Sequence, residues 1–122
     1  MHAVSGYIYF VLALQHPGFG CVLIVPMSQN VRHHVVCLWD GSTNTNAVKL
    51  FIDGKLVAQG TADQSRADNT NPAYNLTLGK YIVTIPSGYL NGTLDEFKYD
   101  TVNWTEARVK NEYGRIKGFF AN

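Results

Sequence analysis

Apolar runs of strand length alternate with turn-forming residues along nearly the whole chain, the pattern of an all-β sandwich or barrel. Gly6 to Leu14 and Phe19 to Val25 are two such runs, rich in β-branched and aromatic residues. Pro17-Gly18 separates them, so they predict a buried hairpin. Val31 to Trp39 follows and is closed by Asp40-Gly41. Alternate residues of a strand share a face, which places His33, Val35, Cys37 and Trp39 on one side and His34, Val36, Leu38 and Asp40 on the other. Both sets are largely apolar, which predicts a central strand covered on both faces.

Beyond the polar stretch Ser42 to Asn46, the segment Val48 to Gln59 carries the sharpest local signal. A type I′ turn needs positive φ at both central positions, and Asp53-Gly54 tolerates that conformation best. The predicted two-residue hairpin sets a register in which Ile52 opposes Lys55, Phe51 opposes Leu56 and Leu50 opposes Val57. Thr61 to Asn75 is a long loop dense in Asp, Asn, Gln and Ser. Tyr74 to Ile82 and Tyr89 to Tyr99 return to strand character on either side of a polar turn at Pro86 to Gly88, for a total of about seven strands. Only the end is helical in pattern. Asn103 or Thr105 suits the N-cap, Glu106 follows Asn103 at capping-box spacing, and Val109, Tyr113 and Ile116 form one apolar stripe. Gly114 weakens this helix and predicts a short one.

At 122 residues the chain has room for one domain and one core. A hydrophobic content of 46%, a charged content of 16% and a net charge of +1 argue against disorder, and they leave no basic footprint for nucleic acid. Tyr7 to Leu14 has the length of a signal-peptide core, but no Lys or Arg precedes it and no small-residue cleavage site follows. Gln15-His16-Pro17-Gly18 also interrupts it well short of the ~20 residues that span a bilayer, so no membrane insertion is expected. Cys21 and Cys37 both sit in apolar runs and read as small buried hydrophobes. A single disulfide is the second reading, should the flanking runs pair around Met27 to Val31.

Three segments in order, HHVVCLWDG (His33 to Gly41), VKLFIDGKLVAQG (Val48 to Gly60) and LNGTLDEFKYD (Leu90 to Asp100) with its trailing helix, resemble the laminin-G-like and pentraxin-like branch of the concanavalin-A-like lectin/glucanase superfamily. The resemblance implies an antiparallel jelly-roll β-sandwich with a short C-terminal helix. It also implies a glycan-binding or adhesion module of a secreted or particle-surface protein, with a glycan or surface protein as partner. Arg32 stands where the family usually has Trp. A complete sandwich of this kind usually carries further strands before the first one here. A fragment, an edge supplied by an oligomeric partner, or a minimised fold with exposed edges would each account for that. The second reading of function follows: a structural assembly subunit of a fibre, filament or capsid decoration that self-associates through a sheet edge.

Glycosidases share this superfamily, and their hydrolysis needs two carboxylates about 5 Å apart for retention or roughly 6.5 to 9.5 Å apart for inversion. Glu96 and Asp100 share a strand face but stand roughly 13 Å apart along it, so no catalytic residue is expected. Asp95 shares its face with Phe97 and Tyr99 and is predicted to point into an apolar layer, held by backbone N–H groups or a neighbouring histidine, with a metal as the alternative. His33 and His34 project to opposite faces, which rules out joint chelation and favours core or cross-strand hydrogen bonds. The loop residues Asp63, Asp68, Asn69 and Asn71 offer hard oxygen ligands suited to Ca²⁺. Tyr74, Tyr81 and Tyr89 lie near loops and are the candidate stacking surfaces for sugar. Asn75, Asn91 and Asn103 each begin an Asn-x-Thr glycosylation sequon.

Overall fold

The computed structural model describes residues 2–4, 6–13, 19–63 and 92–120, with side chains at 6–10, 21–63 and 92–118. Its first sheet runs in the order β1 (His2–Val4), β2 (Tyr7–Ala13) and β3 (Phe19–Pro26), all antiparallel. Gly6, at φ 87, supplies the left-handed residue that reverses the chain between β1 and β2. The β2–β3 ladder runs from Tyr7 opposite Pro26 to Ala13 opposite Phe19, as the two apolar runs predict. Alternation turns Leu23 and Val25 inward, while Val22 and Ile24 stay exposed on the outer face.

The second sheet runs β4 (Val35–Trp39), β5 (Val48–Ile52) and β6 (Lys55–Gly60). Asp53 at φ 52 and Gly54 at φ 79 form the predicted turn between β5 and β6. Ile52 opposes Lys55 and Phe51 opposes Leu56, but Leu50 opposes Ala58 rather than Val57. A bulge opens between Leu50 and Phe51 and leaves Val57 as the extra residue on β6. It turns the small Ala58 toward the core and leaves Val57 exposed.

β4 is shorter than the predicted Val31 to Trp39 strand, and among the described residues it is an edge, with β5 at the centre. Sheet order depends on non-local pairing that the apolarity of a single segment does not encode. All five β4 residues are half-buried. Val35, Cys37 and Trp39 pack on the core, and His34, just before the strand, stacks on Tyr113 from the other side.

The core lies between the sheets. Ile8, Leu23 and Val25 from the first meet Val48, Leu50 and Ile52 from the second, with Ala62 beside them. Phe51 points the other way and is equally buried, on the face crossed by helix α1 (Glu106–Ile116). Thr105 caps that helix by accepting the Arg108 N–H at 3.1 Å. Val109 and Ile116 are its buried residues, and Tyr113 lies over Gly54. A short 3-10 turn, Lys117–Phe120, ends the described chain.

The predicted strand Tyr89 to Tyr99 is not formed over its described part, from residue 92 onward. Glu96 has φ 50, which no strand accommodates. Local side-chain bonds take over instead: the Glu96 N–H donates to Asp95 Oδ1, and just beyond the segment the Val102 N–H donates to Asp100 Oδ1 in an Asx turn. Ion pairs Lys98–Glu112, Glu96–Arg115 and Asp100–Arg108 tie the segment to α1. The predicted strand Tyr74 to Ile82 lies outside the described residues. Cys21 and Cys37 are both thiols, because β3 and β4 lie in different sheets instead of pairing around Met27 to Val31.

Candidate functional site

A concavity of about 360 Å³ opens where the β4–β5 connection meets the start of α1. Its floor is the outer face of the second sheet, namely Leu38, Lys49 and Phe51. One wall is the Asp40 to Ala47 connection, which short polar side chains hold in place. Ser42 N–H donates to Asp40 Oδ1 (2.8 Å), Asn44 N–H to Ser42 Oγ (3.2 Å) and Asn46 N–H to Thr61 Oγ1 (3.1 Å). The Trp39 indole N–H donates to the Ser42 carbonyl at 2.9 Å, and Gly41 and Asn46 take positive φ. The polar stretch Ser42 to Asn46 is therefore a pinned loop.

The other wall is Asn103, Trp104, Thr105 and Glu106. Trp104 is fixed twice, by its indole N–H to Asp100 Oδ2 (3.1 Å) and by the Arg108 guanidinium lying 4.1 Å from its ring centroid. Asp100 is held below the usual carboxylate range by the Val102 N–H, then by the Trp104 indole and the nearby Arg108 charge. The groove thus combines an aromatic ring, the amides of Asn44, Asn46 and Asn103, the Thr45 hydroxyl, the Lys49 ammonium and the carboxylates of Asp40 and Glu106. Paired donors and acceptors beside one ring suit a hydroxyl-rich ligand. Neither carboxylate stands alone: Asp40 accepts the Ser42 N–H, and Glu106 pairs with Lys110 at 3.6 Å.

A second constellation lies at the far end of the β5–β6 hairpin. His33 Nδ1 is 2.7 Å from Asp53 Oδ2, and His33 Nε2 is 2.9 Å from Ser28 Oγ. These partners match a nucleophile–base–acid relay, but Nε2 also faces the Ser28 carbonyl oxygen at 3.1 Å. A carbonyl oxygen only accepts, so it favours a proton on Nε2 and works against the lone pair a general base needs. The cluster is a clasp. Asp53 Oδ1 also accepts the His34 N–H at 2.9 Å, and the Asp53 N–H donates back to the His34 carbonyl at 2.8 Å. Cross-strand bonding is thus what His33 does, and the histidine-bound carboxylate expected at Asp95 is Asp53 instead.

Asp95 is 80% exposed and lies 4.0 Å from Arg32. It is not buried as predicted, because the strand that would have turned it inward is absent. Asp63 is exposed, and its charge adds to the burial that raises the Cys21 thiol pKa. Asp68, Asn69, Asn71, Tyr74, Tyr81, Tyr89, Asn75 and Asn91 lie outside the described residues. Among the described residues, no group of three or more His, Cys, Asp and Glu is placed to hold a metal ion. No described helix is long and apolar enough to cross a membrane. Asn103 is exposed on the groove rim, where a cap or sequon reading alone does not reveal its neighbours.

Two antiparallel sheets enclosing one core define a β-sandwich. A laminin-G-type family model, described as the Concanavalin A-like lectin/glucanases superfamily, matches residues 22–110, and the chain belongs to that superfamily. No curated protein matches the chain. Among solved structures, an S-layer domain-containing protein (residues 221-444) from Clostridium thermocellum is similar at 18% identity and a TM-score of 0.57. The match covers 88% of this chain and 52% of that one, so this chain spans about half the length of that structure. At that identity the likeness is one of fold.

Proposed function

We propose that the protein is a non-catalytic carbohydrate-binding or adhesion module displayed outside the cell or on a particle surface. The observation that carries this reading is the groove, which Trp104 lines together with Asn44, Asn46, Asn103 and Lys49, with Arg108 against the Trp104 ring. Such a site holds sugar by stacking a ring on C–H surfaces while amides take the hydroxyls. Superfamily membership supports the ligand class, and the fold shared with a domain of an S-layer domain-containing protein is in keeping with display at a surface. Ca²⁺ enters as a proposed cofactor through the oxygen-rich stretch that begins at Asp63. The test is a glycan array with and without Ca²⁺, followed by titration of any hit against Trp104→Ala. Saturable binding lost in the variant supports the reading, and a blank array in both conditions overturns it.

A second reading, assembly through a sheet surface or edge, is favoured by the exposed apolar side chains Tyr7, Val22 and Ile24 on the outer face of the first sheet. It predicts concentration-dependent oligomers that Ile24→Lys dissolves. A monomer at high concentration excludes it.

A further inference from the structure

Val109 and Ile116 are the buried residues of helix α1, and its other contacts among the described residues include ion pairs and an aromatic stack. Tyr113 stacks on His34, with ring centroids 6.2 Å apart and planes at 21°. The ring nitrogen His34 Nδ1 is fully buried and has no hydrogen-bond partner among the described residues. A neutral imidazole leaves a lone pair there at modest cost when its proton sits on Nε2. Protonation would place an N–H in the same buried spot with nothing among the described residues to accept it, and a charge on a partly buried ring.

We infer that His34 is an acid-sensitive latch that holds α1 against the second sheet while neutral and loosens it when protonated. The groups facing it among the described residues are Glu112, Tyr113 and Arg115 on α1, Asp53 in the β5–β6 turn and Lys98 on the segment before the helix. Glu112 and Asp53 favour the proton, whereas Lys98 and Arg115 oppose it. Glu112 already holds Lys98 at 3.2 Å and Arg115 at 3.1 Å, so its charge is largely engaged elsewhere. Loss of hydration is the largest influence and keeps the ring neutral below the ordinary histidine range. The folded state therefore binds fewer protons than the unfolded chain, and stability falls as pH drops below the ordinary histidine value. Because Trp104 to Glu106 form a groove wall at the start of the same helix, acid also weakens ligand binding. That second consequence rests on the proposed binding function.

The test is hydrogen exchange of the α1 amides at neutral pH and at about pH 5, expressed as protection factors and run beside His34→Phe. The expected result is a several-fold loss of α1 protection at acid in the natural protein and little change in the variant, whose ring still stacks on Tyr113. An equal loss in both overturns the inference. An NMR titration of the natural protein needs no variant: a His34 ring that titrates at the ordinary histidine value overturns the inference too. Neither readout involves a glycan, so failure of the latch and failure of the binding reading are told apart.

Discussion

Tyr113 of α1 lies directly against Gly54 of the β5–β6 turn, where a methyl group added to the glycine would stand 3.0 Å from Tyr113 Cδ1. Gly54 also has φ 79, so two separate reasons demand glycine there. Gly54→Ala is expected to cost about 1 to 3 kcal/mol, from the left-handed backbone and from displacement of the ring. Urea unfolding measures the loss. A neutral result would show that Tyr113 does not hold this position.

Gly60 is a close approach between the sheets. A Cβ there would be 2.7 Å from Cys21 Sγ and 3.1 Å from Leu23 Cδ2. Gly60→Ala should destabilise by about 1 to 3 kcal/mol through overpacking. Cys21→Ala removes the nearer atom, so the double variant should recover part of that loss, and simple additivity of the two would contradict the contact.

The His33–Asp53 pair can be isolated by a double-mutant cycle. Asn suits the positive φ of residue 53 as well as Asp does, so Asp53→Asn keeps the turn and removes the charge. With His33→Ala as the other arm, a coupling of about 1 kcal/mol is expected for this partly exposed, charge-assisted bond. A coupling near zero would reduce the clasp to a coincidence of packing.

Those sites differ in how far the sequence announces them. The Asp53-Gly54 turn is legible because its backbone requirement is local and few residues meet it. The His33–Asp53 pair is not legible in the same way, because it depends on the non-local pairing that sets Val35 opposite Ile52 and so leaves His33, two residues earlier, across from the turn. The bulge at Val57 is not legible, because it reflects what the core accepts opposite Leu50. The segment around Asp95 has strand periodicity, yet ionic ties to α1 and the left-handed Glu96 leave its apolar residues exposed. The groove is hidden for another reason. Asn44 and Trp104 are far apart in the chain, and only the placement of α1 over the second sheet brings them together.

The cysteines should be inert in the native state. Loss of hydration pushes the Cys37 thiol up to about 12, and the Cys21 thiol is raised by burial and then by Asp63. Thiolate is the reactive form, so alkylation at about pH 8 should be slow when folded and rapid in denaturant. Fast labelling of Cys37 in the native protein would contradict its packing against the core.

Asp100 organises the groove's aromatic wall and gives it an acid limit. Its carboxylate accepts from Val102 N–H and the Trp104 indole and faces Arg108, all of which favour the charged form. A carboxylate whose pKa falls on folding contributes its stabilisation above its ordinary value of about 3.9, and this is lost as pH drops through the lower folded value. The Trp104 indole N–H resonance should therefore hold its position through the ordinary carboxylate range and shift only in stronger acid. Asp100→Asn should remove that transition, and it should also loosen the Arg108–Trp104 stack at neutral pH by taking away the charge that positions the guanidinium. A transition at the ordinary aspartate value, or one that persists in the variant, would mean that Trp104 is held by something other than Asp100.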